Sequence, residues 1–468
     1  MPNCSHPARR AASGLQIRTR GALTAVLVAI AGLLPVPAAA QVAPAGDAVT
    51  GDTTVLDSLV AQVLAANPAV RVATARADAA RAQMGPAGAR SDPMLMAGVL
   101  NFPYASPGYT DNFTMNTVRL TQTFPFPGKL SLAEHAAQED ASAANAAVGQ
   151  MKLDAVRDLK TAYYELAFVR QARAIVARSG TVIEGLISVA QARYTVGTAI
   201  QADVLRARVD AARLGEEAAM LDAEERDVLA RLNAVLDRPS DTPVESATIP
   251  PRLVRLAGAD SAVTVRFTSS ALGAPPVNSP LLPVDSLQLL ALARSPMLRA
   301  HEARIAAQER RLSLAEKAHL PDVDVSLEYD ERPNFPNYIS FFVSIPLRIQ
   351  RGRKQDQEVV GARAELAALH AEHAGEVNAL RQSIATLASD AERARTQVAL
   401  ARKAVLPQAR ASLESATASY QVGRVDFAAV SDAHAILFTY ETAYARAIAD
   451  FATTVAQLES VVGTEVVR

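Results

Sequence analysis

Val323-Asp324-Val325-Ser326-Leu327-Glu328-Tyr329-Asp330 alternates apolar and polar side chains at every step. A second run follows, with Ile339, Phe341, Val343 and Ile345 on one face and Ser340, Phe342 and Ser344 on the other. A period of two is the signature of β-strands, and the Pro-rich loop Glu331–Asn337 between the runs makes them a hairpin. Working outward, a second such unit is expected earlier in the chain. Its strands lie at about 93–101 and 113–124, joined by the loop Phe102–Asn112, with the alternation less regular. The later strands are expected at about 322–330 and 338–346.

Strands with one apolar and one polar face suit a sheet packed on a core. They equally suit strands of an outer-membrane barrel, whose lengths of about ten residues and apolar-out pattern match these. Aromatic residues favour the barrel. Of the 22 Phe and Tyr residues, 11 fall in 93–127 and 323–346, about an eighth of the chain, as interfacial girdles would require. Four strands are too few to close a barrel, which needs about eight. Unpaired edges in hydrocarbon are intolerable, so several copies must share one barrel, and three copies would supply about twelve strands.

The strand pairs sit inside a duplicated chain. Val55-Leu56-Asp57-Ser58-Leu59 recurs as Val284-Asp285-Ser286-Leu287, Asn67-Pro68 as Ser295-Pro296, and Tyr194-Thr195-Val196-Gly197 as Tyr420-Gln421-Val422-Gly423. Repetition at one offset marks two copies of one unit. The copies are expected at 55–238 and 284–468, separated by a Pro-rich connector at 239–283 with a short strand at Ala262–Phe267. Each copy reads as two helices broken at the Pro dipeptide, a strand pair, a very long helix and a returning helix. Asn67 and Ser295 are good N-caps ahead of proline at the first helical position. The segments Lys129–Tyr194 and Gly352–Tyr420 are expected to be helical over about 100 Å, with kinks at Gly180 and Pro407. Leu214, Leu221, Val228 and Val235 keep a seven-residue spacing, a coiled-coil seam. The turns at 194–200 and 420–426 are the tips of the two helical hairpins.

Composition agrees with long helices. The chain has 468 residues, no Trp and about a fifth alanine, and its net charge is −1. No basic excess exists, so a nucleic-acid partner is not expected. Residues 1–40 read as a removable export signal. Arg9, Arg10, Arg18 and Arg20 precede an apolar run from Ala22 to Leu34, and Ala38-Ala39-Ala40 offers a cleavage site. A tail at 41–54 follows. The single cysteine, Cys4, lies in the charged start, so neither a disulfide framework nor a Cys-based metal site is expected.

No catalytic motif is present: no phosphate-binding loop, no Gly-x-Ser-x-Gly and no His-Glu-x-x-His. An enzyme and a cofactor are therefore not expected. His370 and His373, three apart on a helix, read as a solvated polar face, because two ligands seldom suffice for a metal. Met84, Met94, Met96 and Met115 read as packing. Lys129, Arg348, Arg351, Arg353 and Lys354 cluster where strands give way to long helices, which suits either lipid phosphates or ordinary solvated bases.

The duplicated helix–strand–strand–helix unit, the Asn67-Pro68 start and the paired Tyr-x-x-Gly turns resemble the TolC family of outer-membrane efflux channels, over essentially the whole mature length. The run Phe124-Pro125-Phe126-Pro127-Gly128-Lys129 is similar to the heavy-metal (CusC/CzcC-type) branch, which would make metal ions the cargo. The resemblance implies a mainly α fold with a small β part. Helical hairpins would build a periplasmic α-barrel, and four strands per chain would enter a trimeric twelve-stranded β-barrel in the outer membrane. It also implies a homotrimer that meets a periplasmic adaptor and an inner-membrane pump of the RND type. Tyr194, Gly197, Tyr420 and Gly423 would form the adaptor-contact tips. Asp203, Tyr420, Arg424 and Asp432 would form a periplasmic gate, with Asp432 as a ring of three carboxylates and Arg424 as latch partner to Asp203. Where the family has a second aperture acid, this chain has Ala429. Two other readings stay open: a periplasmic coiled-coil adaptor or structural protein without a pore, and a secreted metal-binding enzyme or carrier, which would need a ligand cluster.

Overall fold

The computed structural model describes residues 51–104, 107–109, 111–258, 281–464 and 466. The export segment and the strand expected at 262–267 lie outside the described residues. The chain is mainly α-helical with one four-stranded sheet.

Helices α1 (Gly51–Ala66) and α2 (Pro68–Gly88) meet at a 42° bend at Asn67. The break is chemical. Pro68 lacks the N–H that would continue α1, and Asn67 restarts the helix by accepting from Ala69 N at 2.9 Å and Val70 N at 3.3 Å. Its amide also donates to Val235 O at 2.8 Å, tying the start of the unit to the end of its returning helix. In the second copy, Ser295 caps Leu298 N at 3.4 Å between α6 (Val284–Arg294) and α7 (Pro296–Lys317).

The strands are β1 (Met94–Leu100), β2 (Met115–Phe124), β3 (Val323–Glu331) and β4 (Tyr338–Ser344), all antiparallel and in that order across the sheet. The two copies therefore join side by side through β2 and β3. Leu120 pairs with Leu327 and Val118 with Tyr329, and this face stays exposed, together with Leu95, Ile339, Phe341 and Val343. The opposite face carries a polar ladder between the copies. Thr117 donates to Asp330 at 2.5 Å, Arg119 pairs with Glu328, Thr121 meets Ser326 at 2.9 Å, and Thr123 donates to Asp324 at 2.6 Å. Thr117, Ser326, Glu328 and Asp330 are buried there. This is the inverse of a water-soluble sheet, whose apolar face seeks the core.

Helix α3 (Lys129–Thr195) runs 67 residues and returns as α4 (Gln201–Val235). In the second copy α8 (Gln355–Leu400) and α9 (Leu406–Gln421) make the outward run, and α10 (Phe427–Val462) returns. Helix α3 runs through Gly180 without a break in its secondary structure. Glycine only weakens a helix by about 1 kcal/mol, whereas proline removes a donor and clashes with the preceding turn. At Pro407 the turn just before it, Ala401–Val405, accordingly widens to a π-helix. The connector also differs from expectation. It holds a helix, α5 (Pro251–Gly258), with Ala257 and Gly258 buried, and Arg395 of α8 donates to Leu256 O at 3.1 Å.

The largest core joins Leu159, Tyr163 and Leu166 of α3 to Leu56 and Val63 of α1 and to Leu221, Val228 and Leu232 of α4. Leu214 and Val235 pack partly buried against it, so the seven-residue seam faces α3. Buried alanines at 155, 162, 167 and 172 let the helices approach closely.

Replacing Asn67 with Ala should lower stability by about 2 kcal/mol, because two capping bonds and the bond to Val235 O at the end of the same unit are lost. Ser295→Ala, with one long bond, should cost less than about 1 kcal/mol. Thermal unfolding followed by helical circular dichroism would rank them; equal losses would contradict the tie between Asn67 and the end of α4.

Candidate functional site: the tips of the helical hairpins

Both hairpins end in the same turn. Gly197 N bonds Tyr194 O at 3.0 Å and Thr198 N bonds Arg193 O at 2.9 Å; Gly423 N bonds Tyr420 O at 3.0 Å and Arg424 N bonds Ser419 O at 2.9 Å. The glycines sit at φ of +76° and +77°, a left-handed conformation that any Cβ would strain.

The side chains break this symmetry. Tyr420 is 1% exposed, while Tyr194 is 43% exposed. The Tyr420 ring meets Phe427 edge-on at 5.5 Å, and its hydroxyl donates to Asp203 Oδ2 at 3.3 Å. Arg193 lies 4.5 Å over the same ring. Its guanidinium donates to Tyr420 O in the second tip and, at 3.0 Å, to Thr198 O in the first. A Cβ on Gly423 would come within 3.2 Å of Arg193, a second reason for glycine there. Burial holds the Tyr420 hydroxyl above its ordinary pKa; Asp203 adds to the rise and Arg193 opposes it.

Three of the expected residues therefore form one cluster, Asp203, Tyr420 and Gly423, around Arg193, while Gly197 makes only its own turn. Tyr194 is half exposed and does not pack in the same way. Arg424 is exposed, its side chain has no partner among the described residues, and the expected latch to Asp203 is not formed within the chain. Asp203 takes Tyr420 instead, because Tyr420 is buried against the hairpin that carries it. Asp432 is 71% exposed at its side chain and lies 3.5 Å from Arg206, an exposed pair worth about 0–1 kcal/mol.

Arg193 was missed by sequence reasoning, though a signal existed. At the offset of 226 that aligns Tyr194 with Tyr420, Arg193 matches Ser419, Asp203 matches Ala429 and Arg206 matches Asp432. Each contact across the hairpins thus uses at least one position where the copies differ.

Above the tips, α4 and α10 meet along a second polar seam. Ser431 donates to Asp210 Oδ2 at 2.5 Å. His434 is 7% exposed and its Nε2 has no partner. It borders a cavity of about 220 Å³ with Asp210, Arg213, Glu217, Ser431 and Phe438. Burial holds its pKa below the ordinary histidine value, against the opposing pull of Asp210, a bond to the Ser179 backbone, and Glu441. Glu441 itself is held by Arg410 at 2.8 Å and Arg178 at 3.8 Å.

Among the described residues no group of three or more His, Cys, Asp or Glu is placed to hold a metal. His370 is exposed, and the ring of His373 lies 6.5 Å from that of His301 on α7. No single described helix is long and apolar enough to cross a membrane.

The architecture has solved relatives. The outer-membrane channel OprN superposes with a TM-score of 0.72 at 20% identity, covering 88% of this chain and 90% of that one. The outer membrane protein VceC from Vibrio cholerae gives 0.69 at 20% identity, covering 87% and 96%. CusC, described in terms of transmembrane channel formation, gives 0.71 at 16% identity, covering 88% and 93%. No curated protein matches the chain by sequence. The family model for outer membrane efflux proteins matches residues 59–236 and 288–464, one stretch in each copy of the unit. With both copies accounted for, the chain belongs to the outer membrane efflux protein family.

Proposed function

We propose that the protein is the outer-membrane exit duct of a tripartite efflux pump: a homotrimeric, passive channel gated at its periplasmic tips. The inverted sheet carries this reading. Its outward face is apolar and exposed, its other face is a hydrogen-bonded polar ladder, and β1 and β4 each leave an unpaired edge within the chain. In hydrocarbon those edges must pair, and three copies would close about twelve strands. A soluble adaptor would instead turn the apolar face inward.

Family membership supports efflux; the gate and the partners are our own assignment. Asp203, Tyr420 and Arg193 would act as the closed lock, since they hold the two hairpins of one chain together. Opening would separate the hairpins, a shift between two packings of one bundle. Asp432, exposed and directed by a weak pair, would contribute to a ring of carboxylates that favours cations in the pore. The tips expose Val196, Ile200 and Val422 along with Tyr194, an apolar surface suited to a periplasmic adaptor. The chain has no nucleotide-binding motif, so energy would come from an inner-membrane pump, in our reading of the RND type. The Phe124–Lys129 run supports heavy-metal ions as cargo.

Planar-bilayer recording of the purified protein tests this directly. Asp432→Ala should leave assembly intact, raise single-channel conductance and weaken cation preference; unchanged values would remove Asp432 from the gate. Tyr420→Phe combined with Arg193→Gln should raise conductance several-fold more than either change alone, because both hold the same contact.

The His434 seam adds a pH dependence. A histidine whose packed pKa is depressed stabilises the packed form above its ordinary value, and that contribution is lost as pH falls through the depressed value. Conductance should therefore rise as pH falls below the ordinary histidine value of about 6.5. His434→Gln should flatten the rise, and a wild-type response that persists in the variant would assign it to other groups.

A further inference from the structure

The apolar row on the outer face of β4 does not stop where the strand stops. Ile339, Phe341 and Val343 are 75%, 66% and 54% exposed, and the same two-residue spacing continues through Ile345, Leu347 and Ile349 at 52%, 82% and 88%. The step from Tyr338 to Ile345 rises about 23 Å, close to the roughly 25 Å apolar band of an outer-membrane barrel. Opposite Ile345, at the same end of the sheet, Phe124 pairs with Val323 and is itself partly exposed. Leu347 and Ile349 thus lie past the band, on the side where the strands enter the long helices.

Cations are concentrated at this level. Arg348, Arg351, Arg353 and Lys354 fall within seven residues, and no acidic residue occurs from Arg332 to Gln355. The structure separates those already employed from those that are not. Lys129 is held by Asp322 at 2.8 Å and by Leu320 O at 2.7 Å. Arg348 donates to Leu320 O at 3.3 Å, but its Nε is buried without a partner. Arg351 sits 3.5 Å from Asp356, half exposed. Arg353 and Lys354 are exposed and have no partner among the described residues.

We propose that residues 345–354 form an interfacial strap that docks on anionic phospholipid headgroups of the periplasmic leaflet. Leu347 and Ile349 would enter the headgroup–acyl boundary while Arg351, Arg353 and Lys354 contact the phosphates. Two observations select lipid over a second copy of the chain. The strap continues the lipid-facing row of β4. And the segment leading into β1, which a neighbouring copy would bring to the free edge of β4, is Arg90-Ser91-Asp92-Pro93, with no net negative charge to meet four cations. Amphipathic basic segments at a membrane surface bind by this combination of apolar insertion and charge. The inference rests on the outer-membrane reading above.

The test uses the full mature protein in vesicles of phosphatidylcholine alone, or with about one third phosphatidylglycerol, followed by gentle detergent extraction and native mass spectrometry of the bound lipids. The wild type should retain phosphatidylglycerol over phosphatidylcholine, and Arg351→Gln/Arg353→Gln/Lys354→Gln should cut that retention about tenfold or more. About 0.5 M salt should do the same, and inorganic phosphate at about 10 mM should not displace the lipid. Leu347→Ser/Ile349→Ser should lower retention of both lipids with the trimer intact. Equal retention by wild type and the charge variant would overturn the strap. Dissociation of the Leu347→Ser/Ile349→Ser trimer in phosphatidylcholine would overturn it in favour of a contact between copies. Failure of the wild type to insert in either vesicle would overturn the barrel reading as well, which distinguishes the two.

Discussion

Four side-chain bridges between β2 and β3 hold the two halves of this chain in one sheet, and the rest of the architecture depends on them. Thr117–Asp330, Arg119–Glu328, Thr121–Ser326 and Thr123–Asp324 satisfy one another on a single face. Polar groups left unpaired in a low-dielectric setting would cost several kcal/mol in all, so the ladder allows this face to close on itself. The opposite face is left apolar and exposed, which water does not tolerate over so many residues and hydrocarbon does. Because the sheet joins one strand pair from each copy of the unit, it also sets the long helical hairpins side by side.

Duplication then creates two tips of identical backbone and unequal side chains. Each turn needs a left-handed glycine, which explains why Tyr-x-x-Gly survives in both copies. The contacts across the hairpins each use at least one position that has diverged. Arg193 opposite Ser419, Asp203 opposite Ala429 and Arg206 opposite Asp432 turn a symmetric pair into one that can be locked and, in our reading, released. At the seam above the tips, a buried ring on α10 borders a cavity shared with Asp210 of α4, and burial holds its pKa below the ordinary histidine value.

The sequence allowed the elements and their order to be read, because they are encoded in local periodicity. Asn67-Pro68 breaks a helix through covalent structure, and the alternation at Val323–Asp330 produces a strand whatever it pairs with. The connector reads differently for a tertiary reason: proline-rich sequence at 239–283 still admits a short helix once α8 offers a surface to cover.

What the sequence by itself determined is therefore the duplicated unit, the helix and strand identities, the tip turns and the division of the strands into an apolar and a polar face, all of them consequences of backbone chemistry and residue period. Only the tertiary structure decided which side chains meet. Asp203 could have chosen Arg424, close in sequence to its partner tyrosine, yet it bonds Tyr420; Arg193, unremarked in the sequence, spans both tips. The physical reason is that these pairs lie about 220 residues apart and are brought together by burial of Tyr420, Phe427 and the helices beneath them. Long-range pairing of that kind leaves no periodic trace in the chain.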